Sequence, residues 1–466
     1  MIALVTRTWN LQSGFAVVVL AAGSVVLPLA PSSAQVVSAL PTAGAPPTGY
    51  DTAGLLSPSP MSQRTLNDKP VRDYQGLPFE GWMLFPSFFV GAVFDDNIYQ
   101  STTDRVAAVG FKLRPSIVAV RDTGIYQTRL FAAGDFNIYP NSSSASTTNA
   151  QVGFTHRWEV LRDFVFTIGG QYDRRTDMYN NGVVTTPYGT SGVIASPQQY
   201  NIFGGYVSGV KSFDRFFIGL SASAFATTYG ALNTTLGPVD QTYRDNLVTT
   251  VAGRLGYAIT PMLYAYTEAA GNLHDFSGDT TYNLLAPNVQ SAGTIYNSQG
   301  YRVVGGLGTD QFSLFKGEIY AGYQQQLYDY TAFGAPSSPV YGGKISWFPT
   351  RAWTISASLD ESYQDSGLLI SGNPTGSAAY VTAATTSIQY AMSRQWTASL
   401  TGGYSNVVYV SGGRHDHYWR AGPTVNYEIW SNLFATFNYS LVIVASNAED
   451  GSFTRNQFSL GATYKY

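Results

Sequence analysis

The chain reads as all-β: a transmembrane, antiparallel, up-and-down β-barrel of about 18 strands, with roughly 16 as the alternative count, in the bacterial outer membrane. Three observations predict it. The final segment alternates, with Tyr466, Tyr464, Ala462, Leu460 and Phe458 on one face and Lys465, Thr463, Gly461, Ser459 and Gln457 on the other; that is the side-chain period of a strand. Charged residues make up 12% of the chain and aromatic residues 14%, including 33 Tyr and 26 Phe, whereas soluble domains carry about 25% charged residues. Short, charged turns alternate with long polar loops along the chain, the asymmetry of outer-membrane barrels. Beyond the N-terminal region no stretch approaches the roughly 20 apolar residues of a spanning helix.

The elements follow in chain order. Arg7 precedes an apolar run from Phe15 to Leu27, and Ser32 and Ala34 place small residues before Gln35. Residues 1–34 therefore read as a secretory signal peptide, since the run is short for a membrane anchor and Pro28 follows it. The sequence has no cysteine, which rules out a lipoprotein signal and any disulfide. Residues 35–80 are rich in Pro, Ala, Ser and Thr without sustained periodicity and read as a flexible periplasmic segment. Residues 81–466 form the expected barrel.

Within it, short turns are expected near 121–124, 161–163, 213–215, 260–261, 311–314, 349–351, 393–395 and 429–431, where charges and breakers cluster. Long connections rich in Ser, Thr, Asn and Gly are expected at 141–149, 176–197, 232–241, 276–294 and 365–378. An even strand count puts both termini in the periplasm. Strand faces are assignable. Val152, Phe154, Trp158 and Val160 alternate with Gln151, Gly153, Thr155, Arg157 and Glu159. Leu433, Ala435, Phe437, Tyr439 and Leu441 oppose Thr436, Asn438 and Ser440. A soluble sandwich would alternate too, but its outer face would be richer in Lys and Glu and its strands shorter.

Barrel size bears on function. About 8 strands leave an interior filled by side chains, whereas about 16 to 18 leave an aqueous channel. A pore is expected unless residues 35–80 or inward-folding loops plug it. On the inward phase fall Lys112, Arg114, Arg129, Arg157, Arg244 and Arg254, followed by Arg302, Arg420 and Arg455. Asp135, Glu159 and Glu428 share that phase. These residues read either as a positively biased pore lining that favours anions or as ion pairs bracing the wall. Trp82, Trp158, Trp347, Trp353, Trp396, Trp419 and Trp430 read as interfacial girdle residues. Tyr264 and Tyr266 turn inward if Leu263, Ala265 and Thr267 face lipid, and inward rings beside polar groups can stack on sugars.

No enzyme, cofactor or metal is expected. The four histidines are His156, His274, His415 and His417, and no serine, acid and histidine set follows from spacing. His415 and His417 share a strand face, so a metal pair is geometrically open, yet polar loop residues are the simpler reading. Asp95 and Asp96, with Asp104 nearby, read as a polar strand end rather than a calcium site. The formal net charge of −3 gives no indication of nucleic acid. The expected partners are outer-membrane lipid and lipopolysaccharide, and the barrel assembly machinery, with Phe458, Leu460, Tyr464 and Tyr466 as its assembly signal.

Lys-Pro-Val-Arg-Asp-Tyr at 69–74 leads to Leu84-Phe85-Pro86-Ser87, and Val93-Phe94-Asp95-Asp96-Asn97-Ile98-Tyr99 closes the first strand. This resembles the outer-membrane β-barrel porin family of the β-barrel porin 2 type, whose first strand ends in an aromatic-Asp-Asp-Asn pattern. Phe94 stands where Tyr is commoner, a departure that bears on packing. The resemblance implies association with exopolysaccharide or capsule production. It implies a conduit for exopolysaccharide export that works with a periplasmic polysaccharide-export protein. A general diffusion porin for small anionic or sugar solutes is the alternative; a surface scaffold or adhesin and a rim hydrolase stand further back.

Overall fold

The computed structural model describes residues 76–176, 183–185, 191–193, 195–276, 297–312, 314–329, 334–365, 369–370, 373–374, 378–410, 413–447 and 451–466. The expected signal peptide at 1–34, residues 35–75 of the expected periplasmic segment, the motif at 69–74 and much of the long connections at 176–197, 276–294 and 365–378 lie outside the described residues.

Period-two alternation produces eighteen long strands, paired antiparallel in chain order. The first six are β1 (Trp82–Asp95), β2 (Ala108–Asp122), β3 (Tyr126–Ile138), β4 (Thr147–Leu161), β5 (Phe164–Thr176) and β6 (Gln199–Phe213). Next come β7 (Phe216–Tyr229), β8 (Asn246–Ala258), β9 (Leu263–Phe276), β10 (Ser298–Phe312), β11 (Phe315–Tyr328) and β12 (Ser337–Thr350). The last are β13 (Trp353–Asp365), β14 (Ala378–Ala391), β15 (Trp396–Tyr409), β16 (His415–Trp430), β17 (Leu433–Ser446) and β18 (Phe453–Lys465). β18 closes on β1, with Ser87 opposite Lys465 and Phe94 opposite Phe458. Closure leaves no unpaired sheet edge, the condition for carrying strands through a bilayer. No helix of the described residues is long and apolar enough to cross a membrane.

Every expected short turn coincides with a tight connection, from residues 123–125 after β2 to residues 431–432 before β17. The tight connections lie on one rim, which is periplasmic by the usual asymmetry, and the long connections lie on the other. The expected flexible segment to Glu80 is paired over its last residues. A short strand, Leu77–Phe79, folds back on Trp82–Leu84 through Glu80 and Gly81, both at positive φ.

The faces separate as the alternation requires. In β4, Val152, Phe154, Trp158 and Val160 are exposed, and in β8, Val251 and Leu255 are exposed while Ala252 and Arg254 are buried. Exposed apolar side chains on so many strands make a lipid-facing band. On the inner face of β7–β10, large rings lie over glycines of the next strand. A Cβ on Gly256 would fall 2.0 Å from the Phe217 ring, and one on Gly308 2.3 Å from the Tyr264 ring. Glycine at these two positions lets the rings lie against the wall.

Candidate functional site

The inner wall holds a network of ion pairs. Arg114 Nε donates to Asp135 Oδ2 at 2.8 Å, with Lys112 Nζ 3.9 Å from the same carboxylate. Arg254 on β8 bridges Glu268 on β9 at 2.7 Å and Glu318 on β11 at 2.9 Å, and stacks over the Tyr266 ring at 4.0 Å. The Arg254–Glu318 contact passes over both β9 and β10 and is made through the interior. Arg302 stacks over Tyr320 at 4.7 Å, and the Tyr320 hydroxyl donates to Asp360. Arg129, Arg157, Glu159, Arg420 and Glu428 occupy the same inward phase of β3, β4 and β16.

Arg244 departs from the expectation. It lies in the 3-10 turn Thr242–Arg244 between β7 and β8, where Nη1 donates to Gln198 at 2.8 Å and the guanidinium covers Tyr229 at 4.0 Å. It therefore belongs to the extracellular loops and not to a strand wall. The acids Glu268, Glu318, Asp360 and Asp416 escaped the sequence reading. All stand on the inward phase of their strands, so extending the alternation through β9, β11, β13 and β16 would have found them. With these partners counted, bracing accounts for much of the inward positive charge, since a buried charge persists only when paired.

The Phe94–Asn97 motif forms the seam of the barrel. Asp95 is 0% exposed. Its Oδ2 accepts from Arg455 Nε at 2.9 Å and Nη2 at 2.5 Å, from Gln457 Nε2 at 3.0 Å and from the Tyr139 hydroxyl at 3.0 Å. Asp96 accepts from the backbone N–H and the side-chain amide of Asn456, both at 2.6 Å. Asn97 donates to the carbonyls of Ser101 and Thr454. Three consecutive side chains of β1 and its exit thus bind β18, and both carboxylates are occupied by protein donors, which fits a polar strand end.

The two ends of the interior differ. Toward the extracellular rim the inner face is buried, with apolar clusters of Val93 with Ile98 and Tyr139, Tyr200 with Ile202 and Phe225, Val381 with Val407 and Tyr409, and Val442 with Val444 and Phe453 set among buried polar side chains such as Asp95, Asn272, Gln324, Gln326 and Asp416. Toward the periplasm the inner face is mixed: Val210, Phe217 and Tyr264 are buried in an apolar cluster, whereas Thr354, Gln389, Thr397 and Ser399 are partly or fully exposed. β14, β15 and β17 carry no charged residue at all. Around them run hydroxyl and amide contacts: Ser358 with Thr385 at 2.5 Å, Thr424 donating to Asn438 at 2.9 Å, and Thr436 donating to Asn426 at 2.9 Å.

Trp158, Trp347, Trp396 and Trp430 are exposed at periplasmic strand ends, while Trp419 stands near the other rim beside His417 and Tyr404. His417 shares a 3.0 Å hydrogen bond with the Tyr404 hydroxyl, so its ring belongs to this aromatic patch. Among the described residues no group of three or more His, Cys, Asp or Glu side chains is placed to hold a metal ion. The Tyr264 and Tyr266 rings point inward, yet each is only 6% exposed. Neither offers an open face for sugar stacking.

A family model described as "Putative beta-barrel porin 2" matches residues 69–466. No curated protein matches the chain. Among solved structures, the chain is similar to a ferric enterobactin receptor (PfeA) mutant from Pseudomonas aeruginosa, at 9% identity over 82% of this chain and 80% of that one, with a TM-score of 0.40. It is similar to OpdO from Pseudomonas aeruginosa at 12% identity, over 83% of this chain and 97% of that one, also with a TM-score of 0.40. The FrpB iron transporter from Neisseria meningitidis aligns at 9% identity over 84% of this chain and 82% of that one, with a TM-score of 0.39.

Proposed function

The chain belongs to this β-barrel porin family, and on that premise we propose that its outer-membrane barrel is a conduit for exopolysaccharide export. The observation that carries the reading is that β14, β15 and β17 carry no charged residue, so that inward charge in this part of the wall is confined to Asp416, Arg420 and Glu428 of β16 between them. A sugar polymer presents hydroxyls along its whole length. A wall of Ser, Thr and Asn side chains lets it exchange one hydrogen bond for another without being held by a fixed charge. The periplasmic exposure of Thr397 and Ser399 suits entry from that side, and the buried side chains packed toward the other rim set the barrier at the exit. No covalent chemistry is involved: the polymer moves down the gradient set by its synthesis. The chain reaches the membrane through the signal peptide at 1–34, and a periplasmic polysaccharide-export protein delivers the polymer.

Barrel size favours a second reading, a general diffusion porin for small anionic or sugar solutes, because about 16 to 18 strands suffice for an aqueous channel. Deleting the gene and measuring both secreted polymer and small-solute uptake separates the two. Loss of polymer with uptake unchanged supports export. Loss of uptake with polymer unchanged supports the diffusion porin and rejects the conduit.

A further inference from the structure

We propose that Arg129 forms an anion-recognition point on the periplasmic half of the inner wall, engaging carboxylate or phosphate groups on a passing solute or polymer. The inference rests on the pore reading above. Most inward cations are matched by acids: Lys112 and Arg114 by Asp135, Arg175 by Asp173, Arg254 by Glu268 and Glu318, and Arg455 by Asp95. Arg129 differs. It stands three residues into β3 from the periplasmic turn, partly exposed on the inward phase, and among the described residues it has no ion pair.

Its direct cross-strand partners are neutral, whereas Asp122 of β2 and Arg157 of β4 stand two positions away on the same inward phase. Across the strand pairs its partners are Val120 and Thr155, and the titratable group that acts on it is the Tyr206 phenol. That phenol is itself bound to Thr155 at 2.9 Å. Of the inward acids on the flanking strands, Asp122 accepts from Gln127 Nε2 at 3.0 Å and Glu159 lies beyond Arg157, four positions from Thr155. The Arg129 Nε is buried without a hydrogen-bond partner, a cost that native proteins rarely carry without a reason. An uncompensated guanidinium on a low-dielectric wall focuses positive potential into the passage. Its planar fork suits bidentate binding of a carboxylate or phosphate.

The test uses the purified full chain, with Arg129→Gln and Arg129→Lys variants checked for folded, heat-modifiable migration. Two readouts are taken: the reversal potential in a potassium chloride gradient across planar bilayers, and calorimetric titration with citrate and with oligogalacturonate. Arg129→Gln should lower the chloride-to-potassium permeability ratio and weaken citrate binding about tenfold, as expected for losing one charge-assisted hydrogen-bond pair. Arg129→Lys should keep the selectivity but recover only part of the binding. Binding of citrate alone identifies a small-anion site, and binding of oligogalacturonate a site for acidic polymer. Unchanged selectivity with unchanged or absent binding overturns the proposal. A barrel that conducts nothing yet loses citrate binding in Arg129→Gln upholds the site while rejecting the pore.

Discussion

Asp95 on the first strand and Arg455 on the last are bound across the closing seam, with Arg455 Nη2 2.5 Å and Nε 2.9 Å from one carboxylate oxygen. The two residues are 360 positions apart in the chain, so the contact forms only when the barrel closes. The Asp95-Asp96-Asn97 run is therefore a closure device at the extracellular rim. Phe94 lies outside it, its ring 6.3 Å from Phe458 on the lipid-facing side.

Removing one partner should be costly. Asp95→Ala leaves the Arg455 guanidinium in a mostly buried position with its main acceptor gone, and losses of about 3 kcal/mol are typical for a broken buried pair. Urea unfolding in lipid vesicles, followed by tryptophan fluorescence, reads the change. The double variant Asp95→Asn with Arg455→Gln should recover part of the loss, because neutral amides replace both charges. Strictly additive losses would show that the two residues act independently.

The strand positions and tight turns were legible in the sequence because period-two alternation and turn chemistry are local. The turn after Arg121 and the one at Ser393 need only their own neighbours to form. The charge network was half legible. Alternation places Arg254 inward, but its partnership with Glu318 depends on the shear of the closed sheet, which no local pattern encodes. Arg244 was misplaced for a related reason: Thr242–Arg244 continues the polar alternation into β8, yet closes as a 3-10 turn. The burial of Tyr264 and Tyr266 was beyond local reading, since the glycines beneath the rings belong to β10 and the arginine over Tyr266 to β8.

The glycine beneath the Phe217 ring gives a stability prediction. Gly256→Ala puts a Cβ 2.0 Å from the Phe217 ring, whereas Gly253→Ala meets only Leu220 at 3.4 Å. Overpacking of the first kind costs about 1–3 kcal/mol. Gly256→Ala should lower the melting temperature measured by circular dichroism in detergent, and Gly253→Ala should leave it within error. Adding Phe217→Leu to Gly256→Ala should relieve part of the loss. Equal effects at the two glycines would mean that the ring moves aside without cost.

The apolar cluster at Val381 and Val407 predicts a change in conduction. Val381 and Val407 are cross-strand partners, buried on the inner face of β14 and β15. Changing both to Thr keeps nearly the same volume and adds two hydroxyls, which makes the constriction easier to wet. Single-channel recording should show longer open times in the double variant than in the parent, with the same charge selectivity. Unchanged gating would place the barrier elsewhere, in the long loops.

The C-terminal strand separates assembly from stability. The backbone N–H of Tyr466 donates to the Pro86 carbonyl at 3.2 Å, a bond that any residue but proline can make. Its side chain is 40% exposed on the lipid face. Tyr466→Ala therefore leaves the ladder to β1 intact and should refold in detergent with the yield of the parent chain. In cells the same change should sharply reduce the folded barrel in the outer-membrane fraction if the aromatic side chain acts as an assembly signal. Phe458→Ala differs, since that ring packs 4.7 Å from Tyr439 as well as against Phe94; it should lower both refolding and cellular yield. If Tyr466→Ala assembles in cells as well as the parent, the side chain carries no assembly signal and the strand contributes through its pairing alone.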